Sequence, residues 1–369
     1  MRWVVYVDMD AFYVACELRD HPELVGQKVI VGPNPHDGPS RGVVLSASYE
    51  ARRDGVRSAM PVMQADRLSP DAVWIAPHME KYERVSHEIR AFLAQRATQV
   101  LPLSIDEAAV FIDVEQASAA ETWARRLQQD LKAELALSAS LGVAVSRVVA
   151  KIASDREKPG GLVVVPPETT ATFLAPLSVR VVPGIGPKTE KALAELGVRT
   201  MSDVSSSNVA GLRRALGGFA DELRDLARGI VHEPTEIEAR DPVSRSTDHT
   251  FPSDVQRMED LEVALHQMAR ELSQVLDHEH LRYQNVTVGL RWSDFTRTQR
   301  GRSLPATQRG TAALESAAVR ILRDAWAEEQ RGRGRPLRTL SLRVSRLSSA
   351  AGGNRPLESF AAEEDRGVN

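Results

Sequence analysis

The segment WVVYVDMDAFYVACE, residues 3–17, constrains the fold more than any other part of the chain. Its first five residues are β-branched or aromatic, which is typical of a buried strand. The strand ends on two acids, Asp8 and Asp10, and two rings, Phe12 and Tyr13, follow at once. A turn that faces solvent would explain the acids but not the rings. Other parts of the chain are therefore expected to meet this strand end.

Apolar strand patterns alternate with helical patterns over about the first 165 residues, which predicts a layered α+β sheet domain. Residues 168–230 have the pattern of short helices interrupted by PGIGPK and LGGFAD. The stretch VHEPTEIEARDPVS has two prolines and no apolar period, which is typical of a linker. Residues 244–347 then show two long helical patterns and two clear strands, QNVTVGLRW and LRTLSLRVSRL, and predict a second small α+β unit.

Composition excludes several classes of protein. A chain of 369 residues is expected to form two to four domains. Its formal net charge of -3 argues against a wholly basic nucleic-acid binder, although a local basic surface is compatible with it. The single cysteine, Cys16, excludes an internal disulfide framework and a cysteine-based zinc site. No window approaches the roughly 18 apolar residues of a membrane span, and the first apolar run is too short for a signal peptide, so a cytoplasmic protein is expected.

A second pair of acids, Asp106 and Glu107, lies in LPLSIDEAAVFIDV, which predicts two strands joined by a tight turn. Such a turn allows both acids to reach one point, where Asp8 could join them. Three crowded carboxylates repel one another unless a cation neutralises them, and oxygen ligands suit Mg²⁺ or Mn²⁺ rather than zinc. Two such ions can hold both oxygens of an in-line phosphoryl displacement. The alternative is that these acids are turn and cap residues that face water.

Cationic residues near these strands are candidates for binding phosphate. Tyr49 and Arg52 are three residues apart in SASYEARRDGVRSAMP, which places them on one face of a short helix. A phenol and a guanidinium together could hold a polyphosphate, although a solvated helix face is the simpler interpretation. Lys158 follows the helix AKIASDRE and precedes Pro-Gly, a position compatible with a mobile cation above phosphates.

The segment VVPGIGPKTEKALAELGV indicates a helix-hairpin-helix that grips a DNA backbone without reading its sequence. Gly184 and Gly186 let backbone amides approach a phosphate, Pro187 suits the first position of a helix, and Lys188 adds charge. A simple glycine connection between two helices is the alternative. ALGGFADELRDLARGI could be a second, poorer copy that uses Gly217 and Gly218.

Every basic residue between residues 281 and 347 is arginine. In LRTLSLRVSRL, Leu340, Leu342 and Val344 alternate with polar residues, so one strand face is apolar and the other is rich in Arg, Ser and Thr. Such a face suits phosphate contacts, and a solvated sheet face is the alternative. The candidate DNA contacts in this unit are Arg297, Arg300, Arg338 and Arg343.

The motifs VDMDAFYVACE, SYEARRDGVRSAMP, SIDEAAVFID, AKIASDREKPGG and VPGIGPK resemble, in order and spacing, those of the Y-family lesion-bypass DNA polymerases of the DinB (DNA polymerase IV) type. The resemblance covers residues 3–347. It implies an α+β multidomain right-hand polymerase with a ferredoxin-like palm, small fingers, a helical helix-hairpin-helix thumb and an α+β little finger. The implied bounds are palm 1–18 and 78–166, fingers 19–77, thumb 167–232, linker 233–243, little finger 244–347 and a flexible tail 348–369.

The resemblance also implies roles for single residues, a template-directed transfer of dNTPs to a primer 3′-OH in translesion synthesis, and a monomer that works on primer–template DNA. Tyr13 would be the steric gate against a ribose 2′-OH. The other implied roles are as follows: Asp8, Asp106, Glu107 and the Met9 carbonyl would bind two Mg²⁺ ions, with Mn²⁺ as a possible substitute; Tyr49, Arg52, Lys158, Ser46 and the backbone of Phe12 and Tyr13 would bind the dNTP; Val43, Leu45 and Ala59 would lie over the nascent base pair; Gly184, Gly186 and Lys188 would hold the primer strand.

The chain departs from the family pattern in two places. Where the family has Gly-Ile-Gly-Pro-Asn-Lys, this chain has GVAVSR, so the turn before the AKIAS helix is expected to differ and no role is carried to Ser146. The tail sequence RPLESF only loosely resembles a sliding-clamp peptide, because Arg355 stands where a glutamine is expected. Clamp binding through Leu357 and Phe360 is accordingly a hypothesis.

Two other functions are compatible with parts of the pattern. A nucleotide cyclase also places acids at the strand ends of a palm-like domain, but it needs neither a helix-hairpin-helix nor an arginine-rich module. A non-catalytic DNA-binding protein with a decayed polymerase domain would not need intact Asp8, Asp106 and Glu107. Asp10 is not assigned to the metal site, and it is interpreted as a cap for the helix that starts at about Ala11.

Overall fold

Strand β1 (Arg2–Met9) is the middle of a five-stranded sheet in the first of two units, Met1–Ile237 and Glu238–Asn369. The computed structural model describes residues 1–38, 41–231, 242–332 and 334–349. In the sheet, β1 pairs antiparallel with β6 (Glu107–Asp113) on one side and with β7 (Ala139–Ala144) on the other. The outer strands are β5 (Gln99–Pro102) and β8 (Leu162–Val164).

Alternate side chains of β1 enter two different cores, as the period of a strand requires. Trp3, Val5 and Val7 pack with three helices on one face, α1 (Phe12–Asp20), α4 (Met79–Ala94) and α5 (Ala117–Leu135). Val4 and Tyr6 pack on the other face with helix α6 (Arg147–Ser154) and with helices that follow it in the chain. A strand buried on both faces explains why residues 3–7 form an uninterrupted apolar run.

Helix α6 lies unusually close to the sheet at Gly142 of β7. A Cβ atom at Gly142 would lie 1.9 Å from the carbonyl oxygen of Ala150 and 2.4 Å from the amide nitrogen of Ser154. Only glycine therefore lets the helix backbone sit at this distance. The close approach sets the height of α6, and with it the position of Lys151, above the sheet.

We expect Gly142→Ala to lower the free energy of unfolding by about 1–3 kcal/mol, because the added methyl group must push α6 away from β7. Gly211→Ala is a matched control, since nothing lies within 4 Å of the position of its Cβ atom. In helix α10 (Val209–Leu216) alanine is favoured over glycine by up to about 1 kcal/mol. Urea unfolding of both variants measures the difference, and an equally stable Gly142→Ala protein would contradict the packing argument.

A smaller three-stranded sheet is inserted between α1 and α4. Its order is β3 (Ser46–Ala47), β2 (Val29–Val31), β4 (Val73–Ile75), with β2 and β4 parallel. Helix α2 (Tyr49–Arg53) follows β3 and is capped by the hydroxyl of Ser48, and helix α3 (Val62–Leu68) precedes β4. In the segment GVVLSAS, Ser46 and Ala47 are paired in a strand, and Val43 makes an isolated bridge with Pro61.

Short helices follow the five-stranded sheet, as the sequence predicts. Helix α8 (Pro187–Glu195) has proline at its first position and Gly186 as its N-cap residue, as expected for the PGIGPK motif. The other helices of this segment are α7 (Thr170–Leu174), α9 (Met201–Ser206), α10 and α11 (Phe219–Ala227).

The second unit is a four-stranded sheet covered on one face by two long helices. The sheet order is β11 (Arg297–Gln308), β10 (Leu281–Trp292), β12 (Leu337–Ser345), β9 (Ser244–Val255), and a short β13 (Ser348–Ser349) pairs with β10. The two long helical patterns predicted for this unit form the helices α12 (Met258–His278) and α13 (Thr311–Gly332). Leu340, Leu342 and Val344 are buried on the helix side, which confirms the predicted alternation.

Two strands of this sheet were absent from the sequence-based prediction. Both β9 and β11 are edge strands, and most of their side chains are exposed. An edge strand that shares little of the core carries a weak apolar period, and β11 also contains Gly301 and Pro305, which argue against a strand when read alone. None of the helices in the described ranges is long and apolar enough to cross a membrane.

Candidate active site

The two segments that carry the acids meet at one end of the inner strands of the five-stranded sheet. Asp8 lies directly opposite Glu107 in the antiparallel register of β1 and β6. Asp106 lies in the turn before β6; its carbonyl oxygen accepts a hydrogen bond from the Met9 amide at 3.0 Å, and its carboxylate accepts one from the Ser104 hydroxyl at 2.6 Å. The pairing of β1 with β6 thus brings Asp8 close to Asp106 and Glu107, which are almost one hundred residues away along the chain.

Eleven of the predicted site residues line one cavity of about 270 Å³ at this end of the sheet. The cavity brings the acids together with the rings and cations that the sequence singled out separately. Its predicted lining residues are Asp8, Met9, Phe12, Tyr13, Leu45, Ser46, Tyr49, Arg52, Asp106, Glu107 and Lys158; Asp10, Ala11, Ser58 and Lys151 complete it.

Two lysines contact the carboxylates of Asp8 and Glu107 in the cavity. Lys151 on α6 places its Nζ atom 2.7 Å from Asp8 and 2.5 Å from Glu107, and the Nζ atom of Lys158 lies 2.7 Å from the same Asp8 oxygen. Burial opposes the charged form of Asp8, but the two ammonium groups outweigh it and hold its pKa below the ordinary value. Burial raises the pKa of Glu107 despite Lys151, with the Asp8 carboxylate contributing to the rise.

The donor set fits a hard divalent cation. Asp8 and Glu107 face the same ammonium group, which stands where a cation of higher charge could bind both carboxylates. Asp106 adds carboxylate oxygens at the same cavity, and no histidine or thiol lines it. Within the described ranges no three acids, histidines or cysteines are already drawn together as a metal cluster.

Asp10 does not cap helix α1, contrary to the prediction. The N-cap residue is Ala11, in the left-handed conformation with φ 45° and ψ 46°, and no side chain caps the helix. This sharp turn directs the Asp10 carboxylate into the protein, where Asp10 is 5% exposed. There it accepts hydrogen bonds from Ser138, Ser140, Tyr49 and the amide of Gly160.

The helix α2 brings Tyr49 and Arg52 to the cavity together. The guanidinium of Arg52 lies 4.7 Å from the centre of the Tyr49 ring, and its Nε atom donates to the carbonyl of Ala47 at 2.9 Å. Burial raises the pKa of the Tyr49 hydroxyl, with the Asp10 carboxylate adding to the shift, so the phenol stays protonated. Ser46 is buried at the same wall.

Tyr13, which lines the cavity, belongs to a cluster of three rings. The ring of Tyr13 packs 4.7 Å from that of Tyr82 and 5.6 Å from that of Phe12. The hydroxyl of Tyr82 donates at 2.6 Å to Glu17, a carboxylate that is 1% exposed and also bound by Lys81 at 2.8 Å. The Tyr13 ring thus packs against Tyr82, which is itself held by its hydrogen bond to Glu17.

The lining of the cavity includes only some of the other predicted site residues. Leu45 lines the cavity, whereas Val43 and Ala59 are exposed beside it; Ala59 donates its amide to the carbonyl of Val44 at 2.8 Å, which holds the two segments together. In the loop before α8, Gly184 has φ 94°, a conformation that favours glycine, and Arg180 donates to the carbonyl of Ile185 at 2.7 Å.

The four candidate arginines of the second unit do not share one face. Arg343 and Arg297 are exposed, and their strand partners Thr287 and Arg291 place them on the side opposite the helices. Arg300 pairs with the buried Val288 and binds Glu328 of α13 at 2.7 Å, so it lies on the helix side. The guanidinium of Arg338 stacks 4.9 Å from the ring of Phe295, in the turn between β10 and β11.

The departure at residues 144–147 leaves a regular strand-to-helix turn. Strand β7 runs to Ala144, and the hydroxyl of Ser146 caps α6 by accepting from the amide of Val149 at 3.4 Å. Ser146 is thus a helix cap in the sequence GVAVSR. Arg355, Leu357 and Phe360 of the predicted clamp peptide lie outside the described residues, as do most of the predicted linker and tail.

Lys151 is the functional candidate that the sequence-based prediction missed. Its position within AKIASDREK offered a signal, because Lys151 and Lys158 lie in one short segment that follows the buried strand β7. A lysine inside a helix pattern is usually solvent-exposed, so only the packing of α6 on Gly142 reveals that Lys151 points to the acids.

Comparison with known families gives a consistent result over most of the chain. Three models of one family match: the impB/mucB/samB family over residues 7–155, the HHH motif of the same family over residues 167–198, and its C-terminal domain over residues 242–357. The DNA polymerase IV of Halorhodospira halophila is 36% identical over 353 residues, covering 94% of this chain and 96% of that protein. The DNA polymerase IV of Methanoculleus marisnigri is 36% identical over 97% of this chain and 98% of its own.

Solved structures show the same relationship. A Y-family DNA polymerase chimera of Dbh and Dpo4 superposes with a TM-score of 0.84 at 26% identity, covering 94% of this chain and 99% of the chimera. Dbh DNA polymerase, solved as an insertion ternary complex, superposes with a TM-score of 0.63 at 26% identity, covering 93% of this chain and 98% of its own. These matches confirm the predicted right-hand α+β architecture with its helix-hairpin-helix. The chain belongs to the impB/mucB/samB family and is a Y-family DNA polymerase of the DinB type, a template-directed DNA polymerase of lesion bypass.

Proposed function

We propose that Asp8, Asp106, Glu107 and the Met9 carbonyl hold two Mg²⁺ ions, with Mn²⁺ as a substitute, at which a dNTP is joined to a primer 3′-OH. The observation that carries the proposal is the meeting of Asp8 and Glu107 across β1 and β6, with Asp106 beside them in the same cavity. Divalent ions bound there would activate the primer hydroxyl and neutralise charge on the triphosphate and the leaving pyrophosphate.

The cationic wall of the cavity would bind and orient the triphosphate. Arg52 and Tyr49 face the acids from α2, and Lys158 faces them from the loop after α6. Ser46 and the backbone of Phe12 and Tyr13 would complete the site. Most of the catalytic effect would come from positioning the triphosphate and fixing charges before the reaction.

Lys151 and Lys158 have a proposed task in the free enzyme, which for Lys158 is additional to triphosphate binding. Each ammonium group lies within 3 Å of Asp8, a carboxylate that is only 6% exposed. Uncompensated charge at that depth would be costly. The lysines would keep Asp8 ionised until a cation binds, and Lys158 would then be released toward the triphosphate.

The remaining walls would recognise the sugar, the base pair and the DNA. The ring of Tyr13 would close the space below the sugar, and Val43, Leu45 and Ala59 would lie over the nascent base pair. The loop from Gly184 to Lys188 would bind the primer backbone. In the second unit, Arg297, Arg338 and Arg343 would contact DNA phosphates; Arg300 is the weakest of the four candidates because it is bound to Glu328.

Primer extension under controlled metal conditions tests the proposal. A labelled primer–template with the next dNTP should be extended in Mg²⁺, should stop on addition of excess EDTA, and should resume when Mg²⁺ or Mn²⁺ is restored. DNA binding without extension in any metal would favour the decayed polymerase, and a cyclic nucleotide product would favour the cyclase.

The proposed clamp interaction, monomeric state and cytoplasmic location each have a direct test. The clamp hypothesis is tested by binding of the full chain to a sliding clamp, compared with a Leu357→Ala, Phe360→Ala variant. Sedimentation of the free enzyme tests the expected monomer, and cell fractionation tests the expected cytoplasmic location.

A further inference from the structure

Asp10 is a buried acid of the cavity that the proposed metal and triphosphate sites do not use. Its two carboxylate oxygens accept four hydrogen bonds. Ser138 donates at 2.7 Å and the Gly160 amide at 2.9 Å to one oxygen, and Ser140 donates at 2.7 Å and Tyr49 at 3.2 Å to the other. Asp10 also donates its own amide to the carbonyl of Ser138 at 2.9 Å.

These donors come from three separate parts of the first unit. Ser138 and Ser140 lie at the start of β7, Gly160 lies in the loop that carries Lys158, and Tyr49 begins α2. Ser140 reinforces the arrangement, because its hydroxyl oxygen lies 3.1 Å from the Gly160 amide. One carboxylate therefore ties the metal-binding strand end to two of the groups proposed to bind the triphosphate.

The carboxylate oxygen that faces Gly160 must be an acceptor. The Gly160 amide can only donate, whereas the three hydroxyl groups can either donate or accept. Asparagine at this position could satisfy Gly160 with its oxygen only by turning its NH₂ group toward Ser140 and Tyr49. Asp10→Asn is therefore nearly isosteric and yet changes the hydrogen bonds of Tyr49 or of the Gly160 loop.

We propose that Asp10 is a positioning residue that fixes the Lys158 loop and Tyr49 relative to Asp8, an inference that rests on the proposed triphosphate roles of Lys158 and Tyr49. Tyr49 has a single hydroxyl proton. In the free enzyme the Tyr49 hydroxyl donates its hydrogen bond to Asp10, and when a dNTP binds it would donate to a phosphate oxygen instead. The bond to Gly160 involves no such exchange, so the loop stays anchored throughout.

Steady-state extension separates this role from a structural one. Asp10→Asn is expected to raise KM for the incoming dNTP about 10-fold, with a smaller change in kcat and unchanged affinity for primer–template DNA. Asp203→Asn is the matched control: Asp203 accepts the backbone amides of Arg199 and Thr200 in the capping box of α9, away from the cavity. It should lower the unfolding temperature without changing KM.

A double-mutant cycle identifies the route. If Asp10 acts through the loop, Asp10→Asn should raise KM much less in a Lys158→Ala background than in the wild-type enzyme. Full additivity would show that Asp10 does not act through the Lys158 loop, and a profile for Asp10→Asn that matches Asp203→Asn would overturn the inference as a whole. A Lys158→Ala enzyme with wild-type KM would instead show that the proposed triphosphate role of Lys158 is wrong.

Ser140→Ala provides a milder second variant in case Asp10→Asn does not fold. Ser140 is fully buried and contacts both Asp10 and Gly160. Its replacement should raise KM by a few-fold while leaving DNA affinity unchanged. An unaltered KM in a folded Ser140→Ala enzyme would count against the positioning role.

Discussion

Replacing Asp106 with asparagine is expected to slow primer extension by about 10²- to 10³-fold while leaving the fold intact. The amide oxygen of asparagine can still accept the Ser104 hydroxyl, and the backbone carbonyl that binds the Met9 amide is unchanged. The substitution therefore removes a negative charge from the proposed metal site with little change in shape. The loss should appear in the rate of a single turnover in Mg²⁺, since that rate excludes product release.

Asp113→Asn is the matched control for this experiment. Asp113 is the last residue of the same strand, β6, at the end of the sheet away from the cavity, and it is exposed. The control should extend primers at the wild-type rate, and both variants should unfold at nearly the same temperature. Wild-type extension by Asp106→Asn would remove Asp106 from the set of metal ligands.

The sequence could predict the first unit closely because its strands are buried on both faces. Residues 3–7 cannot be exposed without cost, so their run of large apolar side chains specifies a central strand and places Asp8 at its end. The apolar runs at β6 and β7 follow the same rule, and their pairing with β1 brings Glu107 to Asp8. The acids of the site were thus predictable from local pattern.

The hydrogen-bond partners of the site were not predictable in this way. Asp10 reaches Ser138, Ser140 and Gly160, which are 128 to 150 residues away along the chain. The residues next to Asp10 in the sequence predicted instead that it caps the helix that follows. The left-handed turn at Ala11, which sends the carboxylate inward, leaves no mark in the sequence because alanine rarely adopts that conformation.

The faces of the second sheet depended on register rather than on composition. Arg300 and Arg343 are alike in sequence, but the pairing of β10 with its two neighbours puts them on opposite sides. A shift of one residue would exchange those sides. Since β11 is an edge strand of mostly exposed side chains, its own sequence carries little information about its register.

The second large effect is expected in sugar discrimination. Tyr13→Ala should lower the preference for a dNTP over the matching rNTP by about 10²-fold, measured as the ratio of kcat/KM values. The ring of Tyr13 lies 4.7 Å from Tyr82, whose hydroxyl is bound to the buried Glu17, so the ring cannot move aside easily. Removing it opens the space in which a 2′-hydroxyl would otherwise collide with a fixed wall.

Tyr13→Phe distinguishes the ring from its hydroxyl group. Phenylalanine keeps the wall and its contact with Tyr82, so this variant should discriminate against rNTPs as strongly as the wild-type enzyme. An unchanged ratio in Tyr13→Ala would show that another residue excludes the ribose. Equal loss in both variants would assign the selection to the hydroxyl group, whose pKa is raised by burial and by Asp106, and which would then act as a hydrogen-bond donor rather than as a steric barrier.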